Sequence, residues 1–526
     1  MSCGDWQDRD RPSENPLKRG SLISGERRLE REELQQRVAR ATSTLAGLGV
    51  GAGDTVALLL RNDFPFFEAS LAAGALGAFA VPVNWHFSGE EAGYVLRDCG
   101  ARLLVAHADL IGGVSDHVPD ETLVLIVETP PEIATAYGIP ADACRRDADA
   151  PAWNEAVAAH EPWTGARHPA PASMIYTSGT TGRPKGVRRE ASKPEHRGLL
   201  ARLNAAVLDL GPEMRTVLTG PLYHTAPNVY GLGVVRAGGS MVLQPRFDAE
   251  ELLALVERYR ITHLNMVPTM FVRLLRLPEA VRPRYDLSSL VRVTHAAAPC
   301  PPEVKRAMID WWGPILVEYY GGTESGVITA CSSSEWLRHP GTVGRPVEGA
   351  VLRILDDERR ELPAGEVGEV FMRFEGIGDF TYHGREEERR AVERHGLITC
   401  GDMGFVDEGG YLYLCDRKRD MVISGGVNVY PAEIEAVLLG HGAVRDCAVF
   451  GIPDPEFGEA LLAVVQTEPG RDLAADDIQR YLRERLAGFK VPRRIEFRTD
   501  LPREDSGKIF KRKLREPYWV GTGRRI

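Results

Sequence analysis

Between Thr55 and Ala106 the chain alternates apolar runs of strand length with stretches of helical composition, and this alternation limits the fold more than any other feature. Thr55–Leu60 (TVALLL), Phe79–Val83 and Arg102–Ala106 suit strands, and Phe64–Leu76 and Glu90–Cys99 between them suit helices. Strand and helix at this spacing predict βαβ units on a parallel sheet. A second alternating stretch runs from Thr216 to about Glu318, with helices at Ala249–Tyr259 and Pro302–Trp312 and a strand at Leu264–Val267. From Ala350 to Val406 the strands shorten and Gly/Pro turns take over, Leu362-Pro-Ala-Gly365 among them, with Glu408-Gly-Gly410 just beyond, which predicts a small β-rich subdomain. From about Asp416 the pattern restarts, with helices at Pro431–Leu439 and Ala475–Leu486 and strands at Ala448–Gly451 and Leu462–Gln466. The expected fold class is α/β: a large N-terminal domain of two α/β sheet subdomains plus a small β-rich subdomain, followed by a small α+β C-terminal domain.

At 526 residues the chain is too long for one ordinary core, and a length prior gives two to four structural units. No uninterrupted apolar run is long enough to cross a bilayer, so no stable membrane insertion is expected. Met1–Asn15 carries charges of both signs and no apolar core, unlike a secretory signal, and the terminal Gly-Arg-Arg-Ile matches neither a peroxisomal nor a prenylation signal. The cytoplasm is the default expectation. A formal charge of −10 argues against a nucleic-acid-coating protein, and the basic run Lys508–Arg515 reads by composition as a solvated surface. Eight cysteines (Cys3, Cys99, Cys144, Cys300, Cys331, Cys400, Cys415, Cys447) form no C-x-x-C pair or zinc-spaced cluster and read as reduced, mostly buried structural thiols.

The chemistry starts at Met174-Ile-Tyr-Thr-Ser-Gly-Thr-Thr-Gly-Arg-Pro-Lys-Gly-Val187. Glycines let the backbone turn close to an anion, free N–H groups and the hydroxyls of Thr177, Ser178, Thr180 and Thr181 suit phosphate oxygens, and Arg183 and Lys185 supply countercharge. It is not a Walker loop, because Pro184 precedes the lysine and Gly186 follows it where Ser or Thr should hold magnesium. A flexible Gly/Thr surface loop is the ordinary alternative for a shorter string.

This segment resembles the signature of the adenylate-forming superfamily, which includes acyl- and aryl-CoA synthetases, luciferase and peptide-synthetase adenylation domains. The resemblance extends over nearly the whole chain, and it is most like a bacterial stand-alone acid–CoA ligase. It implies that Thr177, Ser178, Gly179, Thr180, Thr181, Gly182 and Lys185 contact the phosphates of ATP. Pro221-Leu-Tyr-His-Thr225 matches the segment whose histidine, His224, lies beside the acyl pocket and thiol entrance. In Tyr319-Tyr-Gly-Gly-Thr-Glu324, Tyr320 and Gly321 pack against adenine, Thr323 reaches the phosphates, and Glu324 helps hold Mg²⁺. Thr399-Cys-Gly-Asp402 places Asp402 on the ribose, and Asp416-Arg-Lys-Arg-Asp420 places Arg417 near the ribose and Arg419 at a hinge. Ser424, Gly425 and Gly426, followed by Asn428 and Glu433, resemble the loop that borders the pantetheine tunnel of CoA. Lys508, ending Leu501-Pro-Arg-Glu-Asp-Ser-Gly-Lys508, matches the adenylation lysine. The implied domains are 1–416 for AMP and acid binding, a hinge at 417–420, and a mobile C-terminal domain at 421–526. Taken singly, His224 reads as a packed histidine, Tyr320 as a core aromatic and Lys508 as one lysine of a basic tail; seven motifs in family order are not an accident.

The resemblance implies a two-step reaction. A carboxylic acid attacks the α-phosphate of ATP to give acyl-AMP and pyrophosphate, and CoA then expels AMP to give the thioester. No protein nucleophile is needed, in keeping with the absence of a G-x-S-x-G elbow. A carrier-protein loader shares the first step, and the partners expected are small molecules, with a homodimer neither required nor excluded. An amino-acid activator would place an aspartate in Thr225–Gly233, and none is present. The implied acid pocket comprises His224, Ala226, Asn228, Val229, Met266, His295, Ala296, Ala297, Ala298 and Tyr319. Tyr319 stands where aryl-CoA ligases often have glycine, so it is expected to cap the pocket. An aromatic or phenylpropanoid acid is favoured, with medium- or long-chain fatty and steroid-type acids as alternatives.

Overall fold

The first alternating stretch folds as its pattern predicts. The computed structural model describes residues 17–177, 184–189, 191–424, 427–455, 457–503 and 509–520. Strands Phe79–Pro82, Thr55–Leu59, Leu103–His107 and Leu123–Val127 lie side by side in that order, all parallel. The first three are buried at every position, which is why they read as unbroken apolar runs. The helix Gly89–Cys99 starts at a capping box between Ser88 and Glu91 and stops at Gly100, whose φ of 62° is left-handed.

The second alternating stretch builds a nine-stranded sheet. Its inner strands run Leu316–Gly322, Arg292–His295, His263–Met266, Arg215–Leu218 and Ser240–Leu243, all parallel. Leu22–Ser24 adds in parallel beside Ser240–Leu243, a pairing across more of the chain than any local pattern reaches. At the other side Gly326–Ser332 folds back antiparallel on Leu316–Gly322.

The helices Arg31–Gly47 and Phe64–Ala75 occupy the space between these two sheets. One core joins Leu58, Leu103 and Val105 of the smaller sheet to Leu218, Met241 and Leu243 of the larger through Phe66 and Phe67. The helix Phe64–Ala75 has no solvent face, so the carboxylates of Asp63 and Glu68 must be paired. Glu68 accepts from Arg37 Nε (2.6 Å) and Trp153 Nε1 (2.8 Å). Asp63 caps Phe64 N (2.8 Å) and takes Arg27 Nη2 (2.6 Å) and His107 Nε2 (3.2 Å). His107 Nδ1 accepts from Arg61 N (3.1 Å), so the proton on the ring faces Asp63.

Burial alone would raise the Asp63 pKa, but the His107 hydrogen bond and the Arg27 charge outweigh it and hold the carboxyl below its usual range. Its stabilising contribution is therefore complete above the unfolded value of about 3.9 and fades as pH falls through the lower folded value. Asp63→Ala should cost about 3–5 kcal/mol in urea unfolding at pH 7, because Arg27 loses one of its carboxylate partners and the helix its cap. Asp63→Asn should flatten the loss of stability between about pH 5 and 3. An unchanged acid slope would show that the pair contributes nothing.

The β-rich region comprises two sheets. Gly368–Phe374 centres a six-stranded one with Ala350–Leu355, Asp402–Val406 and Leu412–Arg417. A three-stranded one pairs Ile175–Thr177, Lys185–Arg189 and Phe380–Tyr382. Leu412–Arg417 is the last strand before the C-terminal module, whose own sheet begins at Val422. That sheet centres on Gly458–Thr467 paired with Val444–Asp454, and helices Pro431–Leu439 and Ala475–Arg483 pack on it. The module meets the larger sheet's helices where Arg276 bonds Glu468 (3.2 Å) and the carbonyl of Val444 (3.3 Å). Among the described residues no helix is long and apolar enough to cross a membrane.

Candidate active site

The two strands that flank the phosphate loop fix its ends. Tyr176 pairs with Gly186 and Thr177 with Lys185 across the hairpin, while Ser178, Gly179, Thr180, Thr181 and Gly182 lie outside the described residues. Gly186 is required here, since a Cβ would sit 2.9 Å from the Tyr176 ring. Tyr176 donates to Asp98 (2.7 Å), and Tyr94 donates to the carbonyl of Pro184 (3.2 Å). Lys185 forms an ion pair with Glu388, and its ammonium lies 5.1 Å from the centre of the Tyr382 ring. The hydrogen bond from Lys185 holds the Glu388 carboxyl below its usual range.

Tyr382 ties this strand pair to the turn after Leu316–Gly322. Its hydroxyl donates to Glu324 Oε1 (3.1 Å), and the other Glu324 oxygen lies 3.9 Å from Cys400 Sγ. The turn is tight at Gly321, where a Cβ would stand 1.9 Å from the carbonyl oxygen of Gly326. Thr323 Oγ1 lies 2.6 Å from Thr225 Oγ1, which brings the His224–Thr225 segment alongside. Tyr320 donates to Asp402 Oδ2 (2.7 Å), and Arg417 Nε lies 3.4 Å from Asp402 Oδ1. Burial and the Asp402 charge push the Tyr320 phenol well up. Burial opposes the charge on Arg417, but Asp402 and Asp420 raise its pKa overall. Lys185, Thr323, Glu324, Tyr320, Asp402 and Arg417 thus form one connected rim.

Among the described residues no group of three His, Cys, Asp or Glu side chains is placed to hold a metal ion by protein ligands alone. A single carboxylate at Glu324 nonetheless fits magnesium, which binds through one or two carboxylates and completes its shell with phosphate oxygens and water.

The acid-pocket residues divide. His224 precedes the helix Thr225–Ala237, with its ring 4.5 Å from that of Tyr223, which in turn lies 4.5 Å from Trp85. Met266 and Ala296 are buried at the ends of neighbouring strands, and Ala297 holds a left-handed φ of 74°. Tyr319 accepts from Asn265 Nδ2 at 3.3 Å. His295 shares its face of the sheet with its cross-strand partner Met266 and not with Tyr319. Strand residues alternate faces, so His295 points opposite to Thr294, is fully buried 5.2 Å from the Phe271 ring, and lies 3.8 Å from Glu318. Glu318 is paired with Lys305 at 2.5 Å, and burial together with the Lys305 charge pushes the His295 pKa well down. Asn228 is buried with its amide donating to the carbonyl of Leu222 (3.0 Å), whereas Val229 is 54% exposed. Neither sits beside Tyr319 through any described hydrogen bond.

On the C-terminal side, Ser424 ends a strand opposite Gly458, while Gly425, Gly426 and Lys508 lie outside the described residues. Arg503 and Ile509, which flank the lysine segment, pair as a β-bridge. Arg419 sits in the turn between the sheets, its carbonyl accepting from Arg515 at 3.4 Å; burial and the nearby Arg417 charge lower its pKa. Tyr382, Glu388 and Asn265 escape a reading by motif, because strand pairing (Tyr382, Asn265) and helix packing (Glu388), not sequence spacing, bring them to the site.

The chain as a whole matches a known family. Residues 9–378 match the AMP-binding enzyme family and residues 433–508 its C-terminal domain. The chain belongs to this family of adenylate-forming enzymes. It is 33% identical over 500 residues to a feruloyl-CoA synthase of Amycolatopsis sp, covering 92% of this chain and 93% of that one. It is 31% identical over 507 residues to a fatty acid–[acyl-carrier-protein] ligase, ScoC, of Streptomyces coeruleorubidus, covering 95% and 93%. Its fold superposes on an anthranilate CoA ligase, AuaEII, in complex with anthranoyl-AMP, with a TM-score of 0.82 and 27% identity over 97% of this chain and 96% of that one.

Proposed function

We propose that the protein is an ATP-dependent acid–CoA ligase that activates an aromatic or phenylpropanoid acid. The observation that carries this reading is the connected rim, in which Tyr382 touches both Lys185 of the phosphate loop and Glu324 while Tyr320 reaches Asp402. In this reading the acid's carboxylate oxygen attacks the α-phosphorus of ATP, the bond to the bridging oxygen breaks, and pyrophosphate leaves. Thr177–Lys185 and Thr323 hold the phosphates, Tyr320 and Gly321 face adenine, and Asp402 and Arg417 take the ribose. Glu324 would hold Mg²⁺, which supplies charge neutralisation at the phosphate oxygens. Lys508 bridges the carboxylate and phosphate, so that positioning and electrostatics carry the step without a protein nucleophile. The CoA thiol then attacks the acyl carbon beside His224, through a tunnel bordered by Ser424, Gly425 and Gly426, and AMP departs.

Hydrogen-bond directions around Tyr319 support an acid bearing a polar group at its far end. Thr294 Oγ1 donates its one proton to the carbonyl of Leu264 (3.2 Å), so it must accept from Asn265. That orients the Asn265 amide with its NH₂ toward both Thr294 (2.9 Å) and Tyr319 (3.3 Å). The Tyr319 oxygen therefore accepts, and its proton is available for a hydroxyl or methoxy oxygen on the substrate.

The test is thioester formation read by mass spectrometry over benzoate, cinnamate, hydroxycinnamates and C4–C16 fatty acids, with CoA and a phosphopantetheinylated carrier protein as alternative acceptors. Hydroxycinnamates with CoA should lead. Tyr319→Phe should cost about five- to tenfold in kcat/KM on hydroxycinnamates and little on unsubstituted cinnamate. A tenfold preference for straight-chain acids over every aromatic would sink the assignment of the acid, and product on the carrier protein alone would sink that of the acceptor.

A further inference from the structure

Arg189 closes the strand that leaves the phosphate loop, and its guanidinium gives its hydrogen bonds to main-chain carbonyls. Nη1 donates to Gly378, and Nη2 donates to Thr323 (3.1 Å) and Glu324 (2.5 Å). We propose that Arg189 is a positioning residue for adenylation, holding the Thr323–Glu324 turn against the phosphate-loop strand through the carbonyls of the two residues themselves. The inference rests on the reading that Thr323 and Glu324 serve the phosphates and magnesium.

Three features favour this over an ordinary strand-end arginine. A guanidinium that spends its hydrogen bonds on three neutral carbonyls and, among the described residues, forms no close ion pair is expensive to bury. The neighbouring Arg389, by contrast, pairs with Asp379 (2.8 Å) and Glu393 (2.7 Å). Second, one side of the turn borders open space rather than a packed core. A cavity of about 160 Å³ lies behind it, lined by Arg189, Glu324, Ser325, Phe374, Ile377 and Phe380. On that side the backbone of the turn is held by the guanidinium fork and by Ser325 Oγ, which accepts from Gly322 N (2.8 Å), while Tyr382 and Thr225 hold the side chains of Glu324 and Thr323. Third, the fork is a geometry that lysine does not reproduce: an ammonium is a point charge on a flexible stem, without the planar, pre-set spread of donors. Arg189 thereby couples two segments that grip the same group, since any shift of the phosphate-loop strand is carried to the carbonyls of Thr323 and Glu324.

The test uses the full-length protein and needs no acid. Binding of α,β-methylene-ATP is measured calorimetrically with and without Mg²⁺, and AMP binding serves as a control for Tyr320, Asp402 and Arg417. In the unmodified protein Mg²⁺ should tighten binding. Arg189→Met should reduce that Mg²⁺-dependent gain about tenfold, the size typical when the support of a metal ligand is removed, while AMP affinity stays within about twofold. Arg189→Lys should recover part of the gain. Glu324→Gln should remove it altogether; if Glu324→Gln keeps the full gain, the reading of Glu324 fails. If Glu324→Gln loses the gain while Arg189→Met retains it, the proposal for Arg189 is overturned and the reading of Glu324 stands. Should Arg189→Met also lose AMP binding, Arg189→Lys decides: normal AMP affinity with an undiminished Mg²⁺ gain overturns the proposal.

Discussion

Lys508→Ala is expected to abolish acyl-adenylate formation while leaving the conversion of supplied acyl-AMP and CoA to thioester nearly intact. The reason is where charge develops. In the first step negative charge builds on the α-phosphoryl group as the carboxylate approaches, and a positioned ammonium stabilises that charge more in the transition state than in the ground state. Removing one such donor typically costs about 3–4 kcal/mol, roughly a hundred- to a thousandfold in rate. In the second step the bond that breaks joins the acyl carbon to AMP, and in the proposed rotation of the C-terminal module the lysine leaves the site before the pantetheine arm enters. The measurement is pyrophosphate exchange for the first step and thioester appearance from synthetic acyl-AMP for the second. Equal loss of both in a folded variant would remove Lys508 from the first step. The loop Thr177–Gly186 that first drew attention to the chain would, without this lysine, still bind a nucleotide but would not drive attack on it.

How much of this was legible beforehand depends on how local the signal is. The helices Ala249–Tyr259, Pro302–Trp312 and Pro431–Leu439 run between the residues their composition predicts, because caps and prolines mark helix ends locally. The long strands Val444–Asp454 and Gly458–Thr467 are marked by composition only at their centres, since Arg445, Asp446, Pro453 and Glu459 interrupt the apolar run toward their ends. The pairing of Leu22–Ser24 with Ser240–Leu243 has no local mark at all. The same distinction governs the site. Tyr320, Asp402 and Arg417 meet because each stands in a motif, whereas His295 was grouped with Ala296–Ala298 as one contiguous segment. The pleat forbids that grouping: with Thr294 turned toward Asn265 and Tyr319, His295 must face the opposite core. Asn228 and Val229, adjacent on a helix, differ in burial: Asn228 is enclosed on the carbonyl of Leu222 and Val229 is exposed. Arg189 and Glu388 carry no motif; Arg189 meets carbonyls 134, 135 and 189 residues along the chain, and Glu388 meets Lys185 from a distant helix.

The hinge offers the complementary separation. Arg419→Pro is expected to impair the thioester step by about a hundredfold while leaving pyrophosphate exchange within about threefold, if the turn at 418–420 carries the C-terminal module between two orientations. Proline fixes φ of its own residue and disfavours helical conformations at the residue before it, so Lys418 and Arg419 are both restricted. The substitution need not break the fold. The backbone N–H groups of Lys418 and Asp420 bond the carbonyls of Gly401 (2.7 Å) and Arg417 (2.9 Å), and these donors are retained. Loss of the Arg419 side chain adds a second effect, which Arg419→Ala measures separately: it removes the guanidinium without freezing the backbone. If Arg419→Ala behaves like the unmodified protein in both half-reactions and Arg419→Pro loses only the second, backbone rotation at this turn is the step that admits CoA. Matching losses in both half-reactions for Arg419→Pro would mean that the turn supports the site as a whole and that the rotation occurs elsewhere.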